Sequence, residues 1–165
     1  MSEKSLEKRI KMLEDIENIK KLIFNYTYWL DYGEVDKVIE CFTEDAAMDV
    51  RVRGEVKEGE GNFAFECNGK EEIDSFYRLM VHKKDLFSAS HLIVNPVVDI
   101  DGDRARGIFY LLETSWIARA MWGHGRYDME FARVENKWKI SHFGFLWNFH
   151  TPYSEGWDKT RMAII

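Results

Sequence analysis

From Phe87 onward the chain is written almost entirely in long strand-like runs joined by tight turns, and this limits the fold more than any other feature. The runs are Phe87–Asp101, Arg104–Ala120, Gly125–Val134 and Lys137–Phe149. Turn signals stand at Asp101-Gly102-Asp103, Met121-Trp122-Gly123 and Glu135-Asn136. Strands of that length paired through short turns form an antiparallel meander. Because strands twist, such a meander must curve strongly.

Before Phe87 the period is helical. Leu6, Ile10, Leu13, Ile16, Ile19, Ile23, Tyr26 and Leu30 recur at steps of three and four. That is one face of a helix from about Ser5 to Tyr32, with Gly33 as its stop. Val35, Val38, Ile39 and Phe42 mark a second, shorter helix ending near Thr43-Glu44-Asp45. Ala46 to Val52 reads as a strand, Arg53 to Asn62 as a charged loop or exposed hairpin able to act as a lid, and Phe63 to Glu66 as a short strand. A third helix, Lys70 to Lys83, buries Ile73, Phe76, Tyr77 and Met80. Helices gathered ahead of a sheet predict an α+β domain, and the absence of linkers and repeats predicts one domain over residues 1–165.

Composition removes several classes of function. A net charge of −6 argues against nucleic acid or an anionic membrane surface as partner, since both need a basic face. No apolar run approaches a membrane span, and Met1 to Arg9 lacks the apolar core of a signal peptide. Cys41 and Cys67 make no disulfide framework, so a reduced, cytoplasmic location is expected. The five His residues show neither His-x-His nor His-Glu-x-x-His spacing, and neither a phosphate loop nor a nucleophile elbow is present. No metal and no cofactor are expected. Six Trp and eleven Phe exceed the needs of a small core and leave aromatics to wall a pocket for an apolar ligand.

Three side chains could carry chemistry there. Asp31 lies in the last turn of the first helix, where the macrodipole disfavours a carboxylate and suits it to a general base or an imidazole partner. His91 opens a long strand. Strict alternation gives it a mixed face with Ile93, Asn95 and Val97, and gives Leu92, Val94, Val98 and Ile100 the core face. Tyr26 sits on the apolar stripe of the first helix. A carboxylate, an imidazole and a phenol suffice to move a proton on and off carbon. Read singly, each also has an ordinary role: a solvated helix-end Asp, a structural His, a core Tyr.

The segments Leu30-Asp31-Tyr32-Gly33-Glu34-Val35-Asp36, Cys41 to Ala46, His91 to Ala105, Gly125 to Asp128 and Lys137 to Ile140 occur in one order across about Leu13 to Trp157. Together they resemble the SnoaL-like family of the nuclear transport factor 2-like superfamily. The resemblance implies a cone-shaped α+β barrel, with three N-terminal helices packed into a strongly curved, mainly antiparallel sheet and a pocket at the wide end. It carries the Asp–His pair of the dehydratase and dehydrochlorinase members onto Asp31 and His91, and a Tyr five residues before that Asp onto Tyr26. Asn148 to Pro152 is similar to the tail of the dehydrochlorinase members. An Arg found in one dehydratase branch falls on Trp147, so an indole replaces a charge.

What the resemblance implies is a cofactor-independent lyase, a dehydratase or related eliminase, acting on a small apolar ring-containing molecule. His91 would take a proton from carbon, Asp31 would hold and stabilise the imidazole, and Tyr26 would bind the leaving hydroxyl or a neighbouring carbonyl. Trp29, Asn95, Tyr127 and Trp147 are the expected substrate contacts. An isomerase or polyketide-type cyclase uses the same scaffold, and a non-catalytic binding protein or a ring-hydroxylating dioxygenase small subunit remains open. Alternation also sets Phe143, Phe145, Trp147 and Phe149 on one face, too apolar to be left wholly to solvent. A homo-oligomer is expected, with the resemblance favouring a trimer over a dimer.

Overall fold

The computed structural model describes residues 3–82, 87–117 and 119–163. In chain order its elements are α1 (Glu3–Asp31), α2 (Val35–Glu40), β1 (Phe42–Val52), β2 (Phe65–Asn68), α3 (Lys70–His82), β3 (Phe87–Asp101), β4 (Arg104–Ile117), β5 (Ala120–Val134) and β6 (Lys137–Pro152). The six strands form one sheet in the order β2-β1-β6-β5-β4-β3. Only β1 and β6 pair parallel, because β1 enters beside the last strand of the meander. The helices pack on this mixed sheet in an α+β arrangement. The sheet does not close into the expected barrel: four-residue β2 and long β3 stand at opposite edges.

The end of α1 is set locally. Gly33 adopts φ 70° and donates to Leu30 O at 3.0 Å, while Glu34 N–H donates to Trp29 O at 2.9 Å. This is the Schellman arrangement that a left-handed glycine allows, and it leaves Asp31 as the last helical residue. Ile19, Ile23 and Tyr26 of the stripe are fully buried, whereas Leu6, Ile10 and Leu13 project from the body. In α3, Ile73 and Tyr77 are buried; Lys83, the expected last residue, lies outside the described residues.

Several boundaries differ from the sequence expectation: β2 spans Phe65–Asn68 rather than Phe63 to Glu66, and β6 runs on past Phe149 to Pro152. β1 starts at Phe42, so the chain passes from α2 into the sheet without a loop. Met121, Trp122 and Gly123 are not a turn but belong to β5. Gly123 is there for close packing: a Cβ on it would lie 2.8 Å from the Trp147 ring and 3.2 Å from Glu113 Cβ.

Irregularities decide which residues face inward. In β3, Asn95 adopts φ 52°, and the register with β4 shifts between Val94 and Val97. Such a bulge flips every side chain beyond it. His91 and Ile93 therefore face the helices together with Val98 and Ile100, while Leu92 and Val94 are 50% and 45% exposed. The expectation that Leu92 and Val94 fill the core is thus corrected. In β6 the register shifts at Asn148, the extra residue between Trp147 and Phe149. Phe143, Phe145 and Trp147 face inward, but Phe149 turns out and His150 turns in.

The charged segment 53–64 has no strand of its own. Arg161 ties it to the chain end, donating to the Glu60 carboxylate at 2.6 Å and to the carbonyls of Arg53 and Glu55 at 2.9 and 3.0 Å. Gly61 N–H adds a bond to Met162 O at 3.0 Å.

Candidate active site

Asp31 and His91 are brought together by the end of α1 and the first half of β3. One carboxylate oxygen of Asp31 accepts the His91 backbone N–H at 3.0 Å. The other bonds the His91 Nδ1. A carboxylate that grips both groups fixes the ring and holds the proton on Nδ1, leaving Nε2 with a free lone pair while the ring is neutral.

Nε2 faces a second carboxylate. Glu113 stands directly opposite His91 across the β3–β4 ladder, with its Oε2 3.7 Å from Nε2. The His91 side chain is 8% exposed and that of Glu113 6%. Burial opposes charging of the imidazole. The Asp31 hydrogen bond, then the charges of Glu113 and Asp31, outweigh it and raise the His91 pKa above its ordinary value.

The lateral row continues across the sheet. Glu113 pairs with Gly123 and Gly123 with His150, so His91, Glu113 and His150 lie side by side on the concave face with Gly123 between the last two. Trp147 lies over Gly123 and packs against Phe145 at 4.3 Å and His150 at 5.1 Å. Burial lowers the His150 pKa, against the pull of Glu113. Ser115, two residues beyond Glu113, is also buried on this face.

The other expected site residues divide. Tyr127 is buried beside Phe143 and Phe145. Its pKa is raised chiefly by burial, with Tyr77, Glu113 and Asp31 adding to the shift. Tyr26 is elsewhere. Its hydroxyl bonds the Tyr77 hydroxyl at 2.5 Å, which in turn meets Met48 Sδ at 3.7 Å, amid Phe42 and Phe143. Five residues of helix turn Tyr26 well away from the Asp31 direction, and its hydroxyl is spent on Tyr77. Trp29 is half-buried against the core. Asn95, expected on the His91 face, is exposed on the β3 bulge and does not join the group.

Glu113, Ser115 and His150 went unread in the sequence. One signal for Glu113 was available: a lone carboxylate interrupting the apolar run Ile108 to Leu112. No cluster of three or more His, Cys, Asp or Glu able to hold a metal ion occurs among the described residues. No described helix is long and apolar enough to cross a membrane.

Comparison with known proteins gives a consistent picture of the fold. A family model described as the SnoaL-like domain matches residues 11–144. A scytalone dehydratase-like protein of Novosphingobium aromaticivorans superposes with a TM-score of 0.67 at 20% identity, over 92% of each chain. A hexachlorocyclohexane dehydrochlorinase, LinA type 2, gives 0.71 at 15% identity, over 87% of this chain and 92% of its own. A protein of the aromatic-ring-hydroxylating dioxygenase β-subunit kind, also from Novosphingobium aromaticivorans, gives 0.68 at 16% identity, over 82% and 90%. No curated protein sequence matches this chain significantly.

Proposed function

This chain belongs to the SnoaL-like family, and from that premise we propose that it is a cofactor-independent lyase of the dehydratase or eliminase class acting on a small ring-containing molecule. The observation that carries the reading is the double grip of Asp31 on His91, with Nε2 turned to Glu113 and both side chains buried. Neutral Nε2 is a general base whose partner stabilises the imidazolium it becomes. In the proposed step Nε2 takes a proton from a carbon next to an activating carbonyl. The electrons of that C–H bond form C=C as the C–O bond to the leaving hydroxyl breaks. The imidazolium then returns its proton to the departing oxygen, and water leaves. Tyr127 is the phenol proposed to hold the carbonyl, in place of Tyr26. Glu113, facing the imidazolium, would steady its charge, and burial of the pair strengthens the contact.

The test is elimination on a panel of cyclic β-hydroxy ketones, with loss of water read by mass spectrometry. The expected result is turnover by the parent that falls about 10²–10⁴-fold in His91→Gln. Unchanged turnover in a folded His91→Gln protein would remove the proposal, and a product of unchanged mass would make the enzyme an isomerase.

We also propose that copies of the chain associate through the outer face of β3 and β4. Leu92, Val94, Val97, Tyr110, Leu112 and Trp116 are all exposed there, an apolar stripe that a soluble monomer rarely presents. It continues as a ladder of stacked rings, Tyr110–His124–Phe149–Trp157. Light scattering should give a multiple of 19.6 kDa, three copies being favoured, and Leu112→Glu should reduce it. A parent that scatters as a monomer at micromolar concentration refutes the association.

A further inference from the structure

We propose that α1 carries a second apolar stripe, turned away from the body, that docks on the same stripe of a second copy of this chain, antiparallel about a two-fold axis between Glu17 and Lys20. The inference stands apart from the lyase reading and from the association through β3 and β4, because none of its residues belongs to either.

The stripe is read from exposure. Leu6, Ile10, Leu13, Phe24, Tyr28 and Tyr32 are each between 43% and 65% exposed. At about 100° per residue, the first five point roughly 140° around the helix from Ile19, Ile23, Tyr26 and Leu30, which pack in the core. A surface helix of a single globular chain needs one apolar face, and α1 has two. Tyr32 extends the outer one past the helix end by packing on Tyr28, with 4.7 Å between ring centroids. Scattered apolar residues on a surface need no explanation. Six aligned over about 39 Å of helix make a patch that marks an interaction site.

Its own pattern says what covers it. The stripe has an aliphatic end, Leu6 to Leu13, and an aromatic end, Phe24 to Tyr32. Charge lies between them, with Glu17 on the line of the stripe and Lys20 and Lys21 on its two flanks. Laid antiparallel, one register pairs Leu13 with the second copy's Phe24, Ile10 with its Tyr28 and Leu6 with its Tyr32. The same register sets Glu17 against the second copy's Lys20 and Lys21. Each contact occurs twice, as a two-fold interface requires. A parallel arrangement would set Glu17 against Glu17 and lysine against lysine, which opposes association. The Glu17 side chain is 69% exposed, with Lys20 Nζ on its carboxylate at 2.5 Å, so the ion pair already stands where the axis would pass. Helices in such extended contact cross at about 20°, with axes about 8–10 Å apart.

The test is oligomeric state, read by light scattering over a dilution series at micromolar concentration. The parent should hold an even number of 19.6 kDa copies, six where three copies also meet through the sheet. Leu13→Glu, with its circular dichroism unchanged, should halve that mass. Glu17→Lys should raise the dissociation midpoint about tenfold or more by setting lysine against lysine, and Glu17→Lys/Lys20→Glu/Lys21→Glu should restore it. Because the native Cys41 and Cys67 are buried, oxidation of Leu13→Cys/Phe24→Cys should give a covalent dimer that Leu13→Cys alone does not. A parent of one or three copies overturns the proposal, as does a mass that Leu13→Glu leaves unchanged or a charge reversal that restores nothing. A three-copy parent that Leu112→Glu dissolves keeps the sheet association alone. A dimer that Leu13→Glu splits and Leu112→Glu leaves whole keeps the helix contact alone.

Discussion

Replacing Glu113 by Gln should lower the pKa of His91, and the size of the effect follows from the geometry. Glu113 Oε2 lies 3.7 Å from His91 Nε2, both side chains less than a tenth exposed. At that distance, with an effective dielectric near 20, unit charges attract by about 4 kcal/mol. At 1.36 kcal/mol per pKa unit this bounds the change at roughly 3 units, and pairs of this kind usually give about 1–3. Asp31 remains in the variant, so its hydrogen bond and charge still oppose burial. The measurement is an NMR titration of the His91 Cε1 resonance, assigned by its loss in His91→Gln. A midpoint that moves by less than about 0.3 units in folded Glu113→Gln would refute the claim that this carboxylate charges the imidazole.

The same substitution has a signed effect on stability. The folded pKa of His91 is raised, so between about 6.5 and that raised value the native protein binds a proton that the unfolded chain has released. Stability from this group is therefore complete below about pH 6.5 and is lost as pH rises through the folded value. Denaturant midpoints of the parent should fall across that window, and Glu113→Gln should flatten the slope. In turnover, where the neutral base is the active form, the acid limb of the kcat/KM profile should move to lower pH by the same interval.

Asp31→Asn should lower turnover at least as far as a lost orienting partner does, about 10²-fold or more, with a fold intact by circular dichroism; activity within threefold of the parent would detach Asp31 from the chemistry. Tyr26→Phe should leave turnover nearly unchanged and cost about 0.5–1.5 kcal/mol in denaturant unfolding, since it removes only the buried bond to Tyr77. A large loss of activity would return Tyr26 to the site. Gly123→Ala should lower Tm by several degrees, because its Cβ would come within 2.8 Å of the Trp147 ring and overpacking of this sort costs about 1–3 kcal/mol.

The amino-acid sequence determined everything that depends on neighbours along the chain. The i, i+3, i+4 stripe made α1, Gly33 stopped it with Asp31 as its last residue, and Asp101-Gly102-Asp103 and Glu135-Asn136 turned the meander at their expected places. The family of the chain and its helix-then-sheet order were legible for the same reason. Alternation along strands was legible only between irregularities. The turn after Asp101 alone would set His91 opposite Thr114. The bulge at Asn95 and Pro96 consumes one extra residue of β3, and the partner becomes Glu113. Likewise the extra residue at Asn148 sends Phe149 out and His150 in. Asn95, which tolerates a positive φ, and Pro96, which has no N–H to give the ladder, favour a bulge there, but simple alternation passes over the extra residue, and one residue of slip exchanges the two faces. The tertiary structure therefore decided which carboxylate meets the imidazole and which histidine shares its row.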